Sequence, residues 1–128
     1  MVSIKDHGVL EGIIGHCVRI EETLIDVSKE QFKDDKGLKD IVCFNIFQIG
    51  ELAKHLSDEI TLHYTAVPWV KIMGMRDRIG HGYGPIDLER VWMTAIEDIR
   101  PLHEYCEAIL QAASKRLTQD MGHEGENL

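Results

Sequence analysis

Apolar residues recur at a helical spacing through most of this chain. In residues 3 to 32 they return about every 3.6 positions, which predicts one long first helix that ends before the polar segment KDDKG. A second helix is predicted over residues 38 to 57, followed by a short extra helix over residues 58 to 66. The segment WVKIMGMRDRI, residues 69 to 79, follows a proline that suits a helix start and predicts a third main helix.

The last main helix is predicted to begin after Asp87, a residue type that caps helix N-termini well. Its apolar period continues for about eight turns, and Pro101 inside it is expected to kink it. The tail, residues 119 to 128, is polar and is expected to fray. No segment has the alternation of a strand, so the sequence predicts an all-α, up-and-down four-helix bundle with a short fifth helix, in one domain over residues 1 to 118.

The second predicted helix combines a broad apolar surface with a line of polar side chains. Apolar residues cover most of its circumference, which is typical of a central, buried helix. Asn45, Gln48, Glu51 and His55 lie along one side of it because their spacings are three, three and four. Buried polar groups cost free energy unless they are paired, so this polar stripe must face either solvent or polar partners.

Composition narrows the class of protein. The net charge of −8 disfavours a protein that coats nucleic acid nonspecifically, because such proteins are usually basic, although a local basic site remains compatible with it. Cys17, Cys43 and Cys106 lack paired spacing and are predicted to be buried reduced thiols. No apolar run is long enough to span a membrane, and the N-terminus does not resemble a secretory signal, so we expect a cytoplasmic protein.

Most other polar residues are predicted to have no special role. Isolated histidines on predicted helices are His7, His16 and His103. Histidines without a third metal ligand nearby, expected to be exposed, are His55 and His63. Acidic residues expected to be solvated are Glu21, Glu22, Asp34 and Asp35. The two tryptophans, Trp69 and Trp92, are expected to pack in the core.

The stretch RDRIGHGY, residues 76 to 83, places Arg76, His81 and Tyr83 among glycines. In a continuous helix Arg76 and His81 would lie about 140° apart, but Gly80 allows the helix to stop so that the chain turns and the two side chains converge. Histidine exchanges protons near neutral pH, and arginine holds phosphate oxygens bidentately. An RNA 2′-hydroxyl would supply the nucleophile without a metal, and Tyr83 would orient a phosphate or stack on a base.

A simpler interpretation is open at this point. Arg76 is also what the C-terminal end of a helix favours electrostatically, and His81 and Tyr83 are also compatible with a turn and a packing residue. Asp77 and Arg78 are either part of a site or a solvated ion pair.

The same stretch resembles the signature of the HEPN superfamily, and of its HepT-like toxin branch in particular. That signature is Arg, four residues, His, one residue, Tyr, and Arg76, His81 and Tyr83 match it. The flanking segments IGELAKHLS (49–57), PWVKIMGMRDRIGHGY (68–83) and IDLERVW (86–92) resemble the same branch in order and spacing.

The resemblance implies a metal-independent endoribonuclease that pairs as a homodimer, so that two Arg–His motifs form one cleft. Arg76 and His81 would be catalytic, with no cofactor needed for cleavage of an RNA such as tRNA or mRNA. The protein would be the toxin of a toxin–antitoxin pair. Its partner, an MNT-type nucleotidyltransferase antitoxin, would use ATP to place AMP on Tyr83.

Two further expectations follow from combining the polar stripe with the resemblance. Glu51, assisted by Asn45 or Gln48, is hypothesised to anchor Arg76 or Arg78 from the second helix. The alternatives to a ribonuclease are a non-catalytic HEPN module that binds nucleotides or proteins, and a structural partner subunit of a nucleotidyltransferase.

Overall fold

The computed structural model describes the backbone of residues 2–80 and 87–126 and the side chains of residues 2–74 and 87–116. All regular structure in these ranges is helical, which confirms the predicted all-α class. The elements in chain order are α1 (Ile4–Thr23), α2 (Lys29–Asp34), α3 (Lys36–Ala53), α4 (Asp58–His63), α5 (Trp69–Gly80), α6 (Leu88–Met93), a π-helical turn (Thr94–Asp98) and α7 (Ile99–Glu126).

The prediction of one helix over residues 3 to 32 is wrong, because the chain breaks between α1 and α2. Asp26 has a φ of 59°, which a right-handed helix cannot contain. Ser28 then starts α2 with a capping box: the Gln31 N–H donates to Ser28 Oγ at 3.1 Å, and the Ser28 N–H donates to Gln31 Oε1 at 2.9 Å. The apolar period hid this break because α2 still buries Phe32 completely.

The segment KDDKG is also not the gap between helices that its polarity predicted. Asp35 alone separates α2 from α3, and it serves as the C-cap of the first and the N-cap of the second. Its side chain accepts the Leu38 N–H at 3.1 Å. At its other end α3 stops at Ala53, earlier than predicted. Ser57 is the N-cap residue of α4, and the presence of α4 confirms the short extra helix.

Helix α1 lies antiparallel to α3 and α7. Along α1, Asp6 bonds Ser57 after the end of α3, and His16 bonds Asn45. A Cβ added to Gly12 would lie 3.0 Å from Leu52 Cδ1, so α1 and α3 approach closely there. Helix α3 packs between α1 and α5. Helices α1 and α3 both contribute fully buried residues to the core. Cys17, Cys43 and Cys106 are free and buried, as predicted.

The last main helix contains a π-helical turn close to Pro101. Proline has no N–H, and its ring crowds the carbonyl four residues earlier, which belongs to Glu97 inside the π turn. The predicted N-cap is confirmed, because Asp87 Oδ1 accepts the Arg90 N–H at 3.3 Å. Helix α7 runs to Glu126, and fraying of the tail stays a prediction. None of the described helices is both long and apolar enough to cross a membrane.

Candidate active site

Helix α5 carries the start of the RDRIGHGY stretch. It is anchored at its beginning, where Trp69 and Ile72 are buried and the Trp69 indole N–H donates to the Tyr64 carbonyl at 3.0 Å. The helix continues through Arg76, Asp77 and Arg78 to Gly80, the last residue described before residue 87. The predicted end of the helix at Gly80 therefore stays a prediction.

The side chains of Arg76, Asp77 and Arg78 lie outside the described residues, as do His81 and Tyr83 entirely. The convergence of Arg76 with His81 therefore stays a prediction.

Residues 81–87 connect α5 to α6, and this connection contains His81 and Tyr83. Lys71 on α5 and Asp98 in the π-helical turn form an exposed ion pair, with Nζ 3.3 Å from Oδ2.

Helix α2 packs on α6. The rings of Phe32 and Trp92 lie 5.4 Å apart, and Trp92 is partly buried and packs against the core, as predicted. Lys29 Nζ and Lys33 Nζ both contact Glu89 Oε1, at 3.2 Å and 2.8 Å. The hydrogen bonds from Lys33 and Lys29 lower the pKa of the Glu89 carboxyl below its ordinary value.

The polar stripe of α3 is divided between two surroundings. Asn45 is buried and fully engaged: His16 Nδ1 lies 2.7 Å from its Oδ1, and its Nδ2 donates to the Ile41 carbonyl at 2.8 Å. His16, which had no expected role, thus pairs a buried amide between α1 and α3. A spacing pattern within one helix could not identify it, because its partner lies on another helix.

The remaining members of the stripe are more accessible. Gln48 and Glu51 are half-buried, and His55 is exposed, as is His63 on α4 in agreement with the sequence. Because α3 packs on α5, Glu51 belongs to the helix that supports Arg76 and Arg78. Its anchoring of either arginine stays a prediction.

A second polar network, centred on His103, was missed by the sequence reasoning. His103 is only 6% exposed, and its Nδ1 lies 2.9 Å from Glu21 Oε1 on α1, while its Nε2 lies 2.8 Å from Glu107 Oε1. Burial lowers the pKa of His103, but the hydrogen bonds with Glu21 and Glu107 outweigh it and raise that pKa above its ordinary value. The prediction that Glu21 is merely solvated is therefore wrong. The spacing of His103 and Glu107 was visible in the sequence, but the partner on α1 was not.

A groove of about 890 Å³ lies at the other end of the bundle. The start of α1, helix α4 and the second half of α7 line it, with His7, His63 and Arg116 among its polar residues. Helix α5 begins next to α4, where the Trp69 indole N–H donates to the Tyr64 carbonyl. In the described ranges, no three His, Cys, Asp or Glu side chains are grouped to hold a metal ion.

Comparison with known proteins gives a consistent set of relatives. The family model for HepT-like ribonucleases matches residues 13–109. A candidate RNase of Caldanaerobacter subterraneus subsp. tengcongensis is 32% identical over 102 residues, which cover 80% of this chain and 91% of that protein. A candidate ribonuclease HepT of Thermococcus cleftensis is 32% identical over 100 residues, covering 78% of this chain and 89% of that protein.

A further relative has two parts. A Methanocaldococcus jannaschii protein, named as a gamma-glutamylcyclotransferase and candidate RNase, is 33% identical over 106 residues, which cover 83% of this chain and 48% of that protein. No solved structure matches. The fold and these matches place the chain among the helical bundles of the HEPN superfamily. Within that class, the chain belongs to the HepT-like ribonuclease family.

Proposed function

We propose that this chain is the ribonuclease toxin of a toxin–antitoxin pair, with Arg76 and His81 as its catalytic residues. The observation that carries the proposal is the position of the motif within the family fold. Helix α5 runs unbroken through Arg76 to Gly80, packs on α3, and lies inside the region that the HepT-like model matches. Gly80 would allow the helix to stop so that the chain turns and His81 approaches Arg76.

The chemistry requires one proton to leave the nucleophile and another to reach the leaving group. A histidine acting as base takes the proton of the RNA 2′-hydroxyl as that oxygen bonds to phosphorus. The bond from phosphorus to the 5′-oxygen breaks, and an acid protonates that oxygen, which leaves a 2′,3′-cyclic phosphate and a 5′-hydroxyl. Arg76 binds the phosphate oxygens and stabilises the charge that develops on them.

A homodimer would supply two such histidines, one as base and one as acid. Support comes from the exposed apolar surface on α3, where Ile41 and Phe44 lie one turn apart and are 43% and 58% exposed. A second copy that covers this surface would stand beside α5, since α3 and α5 pack together.

Tyr83 is the acceptor of AMP in this proposal. An MNT-type nucleotidyltransferase antitoxin transfers AMP from ATP to the tyrosine hydroxyl and releases pyrophosphate. The added phosphate places negative charge and bulk two residues after His81, where an RNA phosphate would otherwise bind. Modification of Tyr83 therefore excludes the substrate without unfolding the bundle.

Cleavage of a labelled RNA by the purified protein tests the catalytic assignment. We expect His81→Ala and Arg76→Ala to lower the rate by about 100-fold or more, with circular dichroism and dimer mass unchanged. Equal cleavage by wild type and both variants would reject the assignment. Binding of a nucleotide or protein without cleavage, which the net charge of −8 favours, would instead identify a binding module.

The antitoxin assignment has a separate test. Intact mass after co-expression with a nucleotidyltransferase encoded beside this chain should exceed the mass of the chain expressed alone by one or more AMP units. Tyr83→Phe should abolish the increase. If the nucleotidyltransferase modifies a small molecule and leaves this chain unmodified, the chain is a structural partner subunit.

A further inference from the structure

Helix α1 packs on α3 and α7 and leaves one face exposed along its whole length. The residues of this face are three or four positions apart and lie within about 80° of one another around the helix axis. All of them are exposed to solvent, and we call them the α1 face: Ile4, Gly8, Glu11, Gly15, Arg19 and Glu22. A Cβ added at Gly8 or Gly15 would meet no atom within 4 Å, so nothing covers the helix backbone there.

The two charges nearest Gly15 are opposite in sign and equally far from it. Glu11 lies four residues before Gly15 and Arg19 four residues after it, about 6 Å along the helix in each direction. Glu11 and Arg19 are therefore about 12 Å apart on one helix and cannot pair with each other. Among the described residues, the Arg19 guanidinium makes no hydrogen bond or ion pair, and only the Arg19 carbonyl is engaged, by the Thr23 hydroxyl at 2.6 Å. A two-fold rotation about Gly15 would place each Glu11 opposite Arg19 of a second copy.

An exposed aromatic ring stands beside the same point of α1. His16, the neighbour of Gly15 in sequence, is held against α3 by Asn45, with Nδ1 2.7 Å from Oδ1. The ring centroid of His16 lies 6.5 Å from that of Phe44, which is 58% exposed. When two α1 helices pack antiparallel, the rotation axis lies in the interface and across α1, so α3 of both copies comes to the same side. The two Phe44 rings then face each other close to the axis.

The charges around this surface suit a second copy of the chain. With His7 neutral, the exposed charged side chains of α1 and of residues 36–48 of α3 are three basic and three acidic: Lys5, Arg19, Lys36, Glu11, Glu22 and Asp40. Lys36 and Asp40 pair with each other at 3.2 Å. On the α1 face the rotation sets Gly8 opposite Glu22, so no like charges face each other. Two copies of net charge −8 therefore meet here with less repulsion than their total charge would give.

We propose that this surface is a two-fold interface between two copies of the chain, with the axis at Gly15. Glu11 of each copy pairs with Arg19 of the other, and the two Phe44 rings form the apolar part of the contact. The inference rests on the proposed function for the choice of a homodimer, and it adds the residues that meet and their register. Both copies use the same surface, so the assembly closes as a dimer.

An exchange of charges tests the register, with dimer dissociation constants measured by sedimentation velocity. Glu11→Arg and Arg19→Glu each set like charges opposite one another twice, so each should weaken self-association by about tenfold. The double variant restores both pairs and should return to within about threefold of wild type. A mixture of the two single variants should form the heterodimer in preference to either homodimer. The matched controls Arg90→Glu and Glu97→Arg, at exposed positions on α6 and the π-helical turn, should leave the dissociation constant unchanged.

Variants of the axis and of the apolar contact give an independent measurement. Packed helices lie about 8–10 Å apart, so Gly15→Lys puts two long, like-charged side chains at the axis and should weaken the dimer by about 30-fold or more. Gly74→Lys is its control, because a Cβ at Gly74 would also meet no atom within 4 Å. Phe44→Gln should weaken the dimer by about tenfold, whereas Leu62→Gln, at a 74% exposed position on α4, should not change it.

The outcomes separate this inference from the proposed function. Equal self-association of the wild type, the single variants and the double variant overturns the inference, as does a wild type that stays monomeric at every concentration. Cleavage of RNA by the wild type still decides the proposed function in those cases. If the charge exchange behaves as expected in a chain that does not cleave RNA, the proposed function fails and the interface stands. Disruption by the Gly74, Arg90 or Glu97 variants instead would place the contact elsewhere and overturn the inference.

Discussion

His103 on α7 and Glu21 on α1 form a partly buried contact of 2.9 Å that joins the start of α7 to the end of α1. The other ring nitrogen of His103 faces Glu107 at 2.8 Å, so both nitrogens have carboxylate acceptors. Only the protonated imidazole can donate from both nitrogens at once. Arg100 adds contacts with Glu21 at 3.4 Å and with Glu104 at 3.1 Å, so the two cations face three carboxylates between α1 and α7.

The charged state of His103 predicts a pH-dependent stability. Because its folded pKa is raised above the ordinary 6.5, its contribution is fully present below about pH 6.5 and is lost as the pH rises through the folded value. We expect urea unfolding to show a free energy that falls more between about pH 6 and pH 9 for wild type than for His103→Gln. His55→Gln, at an exposed position, is the control and should retain the wild-type dependence. Parallel curves for all three proteins would refute the contribution of protonated His103 to stability.

Asp6 should give stability the opposite dependence on pH. It is completely buried and accepts the Ser57 N–H at 2.9 Å as well as the Ser57 hydroxyl. Burial raises its pKa, but these hydrogen bonds outweigh burial and lower that pKa below 3.8. Its contribution is therefore present at neutral pH and is lost only as the pH falls through the lowered value.

Replacing Asp6 tests that bond directly. Asp6→Asn should lower the free energy of unfolding at neutral pH by about 1–3 kcal/mol, because the amide cannot accept both hydrogens equally well. The deficit relative to wild type should shrink in strong acid. Glu22→Gln, an exposed change on the same helix, should leave the free energy almost unchanged, and an equal loss in both variants would contradict the assignment.

Two glycines of α1 provide a matched test of helix packing. A Cβ at Gly15 would meet no atom within 4 Å, whereas one at Gly12 would lie 3.0 Å from Leu52 Cδ1. Gly15→Ala should stabilise the protein by about 1 kcal/mol through helix propensity. Gly12→Ala should raise the stability of the protein measurably less, because the Leu52 side chain must move to make room for the new Cβ. Thermal unfolding of both variants measures the difference, and equal gains would mean that the α1–α3 approach is not tight.

Glu51 offers a test of support for the arginine that we propose to be catalytic. If it anchors Arg76 or Arg78 from α3, Glu51→Gln should lower kcat for RNA cleavage by about 10–100-fold while KM changes little. Glu51→Asp, which keeps the charge, should recover part of the rate. Unchanged stability together with unchanged cleavage in Glu51→Ala would remove Glu51 from the site.

Local patterns were sufficient for much of this fold and insufficient for its polar contacts. Helices α5 and α4 and the Asp87 cap were predictable because their signals lie within a few residues of one another. The break at Asp26 was not, since the apolar period continues through it and Phe32 remains buried. The pairings of His16 with Asn45 and of His103 with Glu21 join residues on different helices, and a single sequence read by itself contains no signal for such contacts.

Asp35 connects α2 directly to α3 of the bundle. One residue ends α2 and begins α3, so the short helix has no linker in which to swivel. Lys29 and Lys33 are consequently carried on a helix that continues directly into α3 rather than on a loop. A single residue inserted after Asp35 would turn both lysines away from Glu89 while leaving the residues of α5 unchanged.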